Sequence, residues 1–154
     1  MRTAFACFLA AFALAVPAAA QDDEVPYWAA INVDEINMRK GPSTTYPIDW
    51  VYTRKGLPVK VLRKREGWRY VEDMDGTRGW FVGRMLTRTR TAIVTGEGVA
   101  PMRAEPNAGA SLSWNAEPGV VGRLGECEAG WCEFDVEGRA AWIEADRIWG
   151  DGEP

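Results

Sequence analysis

The stretch EGWRYVEDMDGTRGW, residues 66–80, comes back as AGWCEFDVEGRAAW at residues 129–142. Gly67-Trp68 matches Gly130-Trp131 at an offset of 63 residues, and Gly76 and Trp80 match Gly138 and Trp142 at 62. Upstream, Met38-Arg39 and Pro42 match Met102-Arg103 and Pro106 at 64, while Gly56 matches Gly119 at 63. An offset that shrinks by single residues is what small loop deletions leave in a duplicated unit. Two units of one fold follow. Each is near the lower size limit for an independent core, so the two are expected to lean on each other.

Inside each unit no helical periodicity runs long enough to make a helix, whereas short strand-like runs are separated by Gly, Pro, Asn or Asp. Val59-Lys60-Val61, Trp68 to Glu72 and Trp80-Phe81-Val82 read as strands of the first unit. Val120 to Leu124, Trp131 to Val136 and Ala140 to Ile143 read as strands of the second. Asp75-Gly76 and Glu137-Gly138 read as tight turns, with Gly supplying the positive φ that a short hairpin needs. Many short strands in few residues predict an all-β chain of two small antiparallel barrels in tandem.

Composition narrows the chemistry. The 154 residues include no histidine, which removes Ser-His and Cys-His nucleophile pairs and most zinc and haem sites. No metal and no cofactor is expected. Eight Trp in a chain of this size make aromatic surface the first place to look for function. At the start, Arg2 is followed by an apolar run from Ala4 to Val16 and by Pro17-Ala18-Ala19-Ala20. That pattern predicts a secretory signal over residues 1–20, cleaved after Ala20, with no membrane span in the mature chain. Cys7 lies inside the signal, far upstream of the cleavage point, and carries no lipid in this reading. Cys127 and Cys132 are then an even pair in an oxidising compartment, and a disulfide across a short hairpin is the default. A redox role is disfavoured, because the spacing is not Cys-X-X-Cys and no cation stands beside either thiol.

The ordered set Ile36-Asn37-Met38-Arg39-Lys40-Gly41-Pro42-Ser43, Gly56-Leu57-Pro58-Val59-Lys60-Val61, Gly67-Trp68 and Gly76-Thr77-Arg78-Gly79-Trp80 resembles the bacterial SH3 domain. In particular it is similar to exported tandem SH3-like proteins of alphaproteobacteria. The resemblance spans about Asn32 to Trp149 and implies five or six strands per unit, no catalysis, and in related domains the binding of cell-wall peptides or glycan. The second unit departs from the pattern, with Pro101 for the Asn, Glu105-Pro106 for Gly-Pro and Ala141 for the Gly before the last Trp. The expected units are residues 28–90 and 91–150.

Strand alternation says which aromatics are available to a ligand. In Cys132-Glu133-Phe134-Asp135-Val136-Glu137 apolar and acidic residues alternate, so Cys132, Phe134 and Val136 face the core and Trp131 shares the wet face with the acids. The 63-residue offset puts Val71 inward and Trp68 and Tyr70 outward as a shelf. In SH3 barrels generally a Trp near this place lines the peptide groove; the competing role for Trp68 is to cover the barrel end or join the units. Trp80 and Trp142 are expected to be partly buried on the core side, as large aromatic area usually is. Trp50 and Tyr52 share one face of a strand, and alternation alone leaves open whether that face is core or groove. Trp114 has no evident Trp counterpart, and Trp28 and Trp149 are expected to tie down the chain ends.

Charge separates the units. From Trp28 to Arg90 there are 13 basic and 7 acidic residues, but from Thr91 to Pro154 there are 4 basic and 12 acidic. Arg63-Lys64-Arg65 on the hairpin before Trp68 makes a cationic rim beside the shelf, suited to a carboxylate-bearing peptide or glycan. Docking of a basic unit on an acidic neighbour explains the same asymmetry. The candidate ligand-binding set is therefore Trp68, Tyr70, Arg63, Lys64, Arg65, Trp50 and Tyr52, with the first unit as the binder. No catalytic constellation was found, since the acids lie in alternating wet positions rather than as a pair across a cleft. The expected role is a periplasmic or secreted binding module for peptidoglycan or its stem peptide. The alternative is an envelope adaptor that holds an extended or Pro-rich segment of a partner protein. Export argues against nucleic acid as a partner.

Overall fold

The computed structural model describes residues 24–154; the signal and Cys7 lie outside them. The first unit contains β1 (Tyr27–Ile31), β2 (Ile36–Arg39), β3 (Ile48–Tyr52), β4 (Pro58–Arg65), β5 (Trp68–Glu72), β6 (Arg78–Val82) and β7 (Leu86–Thr87). The second contains β8 (Thr91–Val94), β9 (Ala100–Arg103), β10 (Leu112–Ala116), β11 (Val121–Glu128), β12 (Trp131–Val136), β13 (Arg139–Glu144) and β14 (Ile148–Trp149). A single 3-10 turn precedes the last strand of each unit, at Gly83–Met85 and Ala145–Arg147. The strands form two antiparallel sheets, ordered β3-β2-β6-β5-β4-β1-β7 and β10-β9-β13-β12-β11-β8-β14. The second order is the first with every label raised by seven, so the duplication read in the sequence is a duplication of topology. Each sheet has seven strands rather than five or six, because the chain after each 3-10 turn adds a two-residue strand beside β1 or β8.

Each sheet encloses its own core. In the first, Ile31, Ile36, Met38, Val59, Val61, Val71 and Phe81 are each at most 2% exposed. In the second, Val94, Met102, Cys132, Phe134 and Ile143 are fully buried. The inward placement of Val71, Cys132 and Phe134 follows the alternation. The turn after β12 is a two-residue hairpin in which Glu137 and Gly138 have φ of 55° and 85°, the mirror-image turn that matches strand twist. Its counterpart in the first unit is a longer loop folded around Asp73, whose Oδ1 accepts hydrogen bonds from the backbone N–H groups of Asp75 and Thr77 at 3.0 and 2.8 Å. Cys127 and Cys132 are bonded to each other and face each other across β11 and β12.

Trp28 and Trp149 join the two units rather than merely fixing chain ends. Their rings meet edge to face at 4.8 Å, and Trp28 Nε1 donates to the Gly152 carbonyl at 3.1 Å. Arg54 donates to the Gly119 carbonyl at 2.6 Å and Arg90 to the Gly150 carbonyl at 2.8 Å, so basic side chains near the junction cap backbone oxygens across it. No helix among the described residues is long and apolar enough to cross a membrane.

Candidate functional site

Pairing of β4, β5, β6 and β2 lays side chains of the first unit in rows across its outer face. Arg63 stands opposite Tyr70, Tyr70 opposite Trp80, and Trp80 opposite Arg39. The guanidinium of Arg63 lies 4.4 Å from the centre of the Tyr70 ring, and Tyr70 and Trp80 are 5.1 Å apart with their planes tilted by 49°. A parallel row runs Arg65, Trp68, Val82. Beside it a shallow groove of about 300 Å³ is lined by Thr44, Gly67, Trp68, Val82 and Arg84. The N–H of Gly83 donates to the Gly67 carbonyl at 2.7 Å, and this bond brings the 3-10 turn carrying Arg84 against the Trp68 hairpin. Arg63, Arg65 and Arg84 form no ion pair among the described residues, so the groove and row offer aromatic faces edged by uncommitted cations.

The structure regroups the residues singled out in the sequence. Trp68, Tyr70, Arg63 and Arg65 come together on one face. Lys64 does not join them: it lies between Arg63 and Arg65 on the strand, so alternation turns it to the opposite face of β4, where it pairs with Arg69, and the bulge between Val61 and Arg63 decides that the two arginines take the outer face. Trp50 and Tyr52 stand opposite Met38 and Ile36, which puts both on the core side of β3. Tyr52 packs edge to face on Phe81 at 5.3 Å and donates its hydroxyl to Asp73 at 2.6 Å. Burial and then the Asp73 carboxylate hold that hydroxyl well above the usual tyrosine range, which suits a rim residue of the core better than a ligand contact. Trp50 reaches past the core on the sheet's edge strand and is 57% exposed.

Three further expectations are corrected. Trp80 is half-buried but points outward, because Phe81 takes the core position, and likewise Ile143 is buried in place of Trp142. A two-residue turn at Asp75-Gly76 would have set Trp80 opposite Val71; the longer loop around Asp73 shifts the register by one residue and sets it opposite Tyr70. Trp131 leaves its strand on the outer side yet is only 9% exposed, since alternation sets the side from which a ring departs and not how much of it neighbours cover. Trp114 does have a counterpart: it stands opposite Met102 as Trp50 stands opposite Met38. Arg139 covers the Trp114 ring at 5.0 Å, whereas Trp50 lies open.

The matched face of the second unit carries the opposite charge. Strand partners make Glu128 the equivalent of Arg65, Glu133 that of Tyr70 and Trp142 that of Trp80, and the 63-residue offset makes Glu126 the equivalent of Arg63. The Cys127–Cys132 bridge occupies the places of Lys64 and Arg69. Extending the 63-residue offset through the hairpin would have exposed this reversal in the sequence. Among the described residues there is no cluster of His, Cys, Asp or Glu that could hold a metal ion.

Two copies of the bacterial SH3 domain family match the chain, at residues 32–86 and 96–150. A putative N-acetylmuramoyl-L-alanine amidase of Bacillus subtilis is 22% identical over 134 residues, which is 80% of this chain and 26% of that protein. The chain thus spans about a quarter of the length of this curated relative. Among solved structures, NlpC2 of Trichomonas vaginalis covers 80% of this chain and 48% of its own at 12% identity and a TM-score of 0.37. An NlpC/P60 family protein of Bacillus cereus covers 80% of this chain and 56% of its own, again at 12% identity and a TM-score of 0.37.

Proposed function

The chain belongs to the bacterial SH3 domain family, and on that premise we propose that it is a non-catalytic binding module of the cell envelope, whose first unit holds peptidoglycan by its stem peptide. The observation that carries this reading is the reversal of charge on one face of a repeated fold. Arg63, Arg65, Tyr70 and Trp80 present aromatic surface edged with cations, whereas Glu126, Glu128 and Glu133 repel an anion at the same places. Stem peptides carry carboxylates on short apolar residues, which suits a shallow groove lined by Trp68, Val82 and Arg84, with Arg65 paired beside Trp68. The relative's name supports a wall partner, because N-acetylmuramoyl-L-alanine is the junction of glycan and stem peptide. The module works in the periplasm or outside the cell, where the Cys127–Cys132 bridge persists.

Sedimentation with purified sacculi tests this. The mature chain should pellet with them, and retention should fall as salt rises from about 0.1 M to 1 M, because screening shortens from about 10 Å to about 3 Å. A second reading, an adaptor for an extended segment of an envelope protein, is favoured by edge strand β3, where Ile48, Trp50 and Val51 are 47%, 57% and 50% exposed. A chain that stays in the supernatant of sacculi but captures an envelope protein would select that reading.

A further inference from the structure

Between the two units lies a cleft of about 490 Å³, apart from the aromatic face. One wall comes from the first unit, with Arg54 and Lys55, and the other from the second, with Asp135 and Glu137; Arg123 also lines it. Gly56 of the first unit lies against Val121 of the second, so that a Cβ there would be in van der Waals contact with the Val121 side chain at 3.4 Å.

If this seam served only to hold a basic unit on an acidic one, its opposite charges should have paired. They have not. Arg54 donates to the Gly119 carbonyl, Asp135 accepts from the Gly138 N–H at 2.7 Å, and neither Lys55 nor Glu137 forms an ion pair among the described residues. Cations and anions therefore face a common space without neutralising each other. Thr91, which also lines the cleft, is 8% exposed, and its Oγ1 is buried with no hydrogen-bond partner. A buried hydroxyl without a partner is uncommon and costly, and this one belongs to a residue that lines the cleft.

We propose that the cleft between the units is a second binding site, which takes a short peptide free at both ends: its carboxylate against Lys55 and Arg54, and its ammonium against Glu137 and Asp135. The Thr91 hydroxyl completes the site by hydrogen-bonding the ligand backbone. An anion alone would meet Asp135 and Glu137, and a cation alone would meet Arg54, Lys55 and Arg123, so only a ligand with both charges is favoured by both walls. The proposal does not depend on what the aromatic face of the first unit holds.

Calorimetric titration of the mature chain with trialanine, its N-acetylated form and its C-terminal amide tests this. Free trialanine should bind saturably, and each capped form should bind about tenfold more weakly, as loss of one charge-assisted contact implies. Lys55→Gln should abolish the discrimination against the amide and Glu137→Gln that against the acetylated form. Thr91→Val should weaken trialanine about tenfold while leaving the melting temperature of the free protein unchanged or higher, because it removes an unpartnered hydroxyl at constant shape. The proposal is overturned if trialanine does not bind, if the capped forms bind equally well, or if Thr91→Val leaves affinity unchanged.

Discussion

Replacing Tyr70 by Ala removes the middle of the Arg63–Tyr70–Trp80 row. The ring carries the Arg63 guanidinium at 4.4 Å and leans on Trp80 at 5.1 Å. An exposed cation–π contact contributes about 0.5–1 kcal/mol and an aromatic pair about 0.5–1.5 kcal/mol beyond area burial. Losing both should cost the first unit about 1–2.5 kcal/mol, which for a unit of this size lowers its melting temperature by roughly 5–15 °C. Calorimetric melting measures that. Retention by sacculi should fall about tenfold, or ~1.4 kcal/mol, because Arg63 loses the surface that positions it and the ligand loses a ring. Tyr70→Phe is the control: the Tyr70 hydroxyl makes no hydrogen bond among the described residues, so both melting and retention should stay near those of the native chain. Should Tyr70→Ala lower the melting temperature as expected but leave retention intact, the row is packing alone and the inference from it to a binding face fails. If Phe behaves as Ala does, the contact resides in the hydroxyl and not in the ring.

Tyr52→Phe should change the alkaline limb of stability. A tyrosine whose folded-state pKa is raised contributes stability that is complete below the unfolded value of about 10 and is lost as pH rises past it. Urea unfolding from pH 8 to 11 should therefore show a steeper alkaline decline for the native chain than for Tyr52→Phe, which at neutral pH is about 1 kcal/mol less stable through loss of the Asp73 hydrogen bond; parallel declines refute this. Thiol titration of denatured exported protein should find no free thiol, and reduction of Cys127–Cys132 should cost about 2 kcal/mol by the short-loop estimate while leaving the first unit folded. Two free thiols would contradict the expected compartment. Val71→Asp puts a carboxylate at a fully buried site beside Val61, and should abolish the cooperative melting of the first unit; a transition that survives would show the core to be more accommodating than its burial implies.

Much of this was legible in one chain. The fold came from matches at offsets of 64, 63 and 62 residues, because a duplicated unit must keep its turn glycines and core side chains at corresponding places. Alternation put Val71, Cys132 and Phe134 in the core, since period-two side chains leave one face to water. The cysteine pair needed only its compartment and its hairpin spacing. The reversal of charge from Arg63 and Arg65 to Glu126 and Glu128 was also present in the sequence, for it is the same 63-residue offset carried upstream of Trp68 and Trp131.

What alternation could not supply is the pairing of strands. It sends Trp80 or Phe81 inward without saying which, and only the register Tyr70 opposite Trp80 places the Trp on the outer face. A bulge between Val61 and Arg63 reverses the parity of β4 and so puts Arg63 and Arg65, rather than Lys64, on the outer face, and an extra residue in one strand leaves no mark in hydropathy. Trp131 shows that cover is a tertiary property, since a ring leaving the wet side is nonetheless 9% exposed. The contact of Trp28 with Trp149 and the cleft between Lys55 and Glu137 join residues from different units. Sequence periodicity reports on a strand and its own faces, whereas docking of one sheet on another depends on shapes and charges that exist only once both sheets have formed.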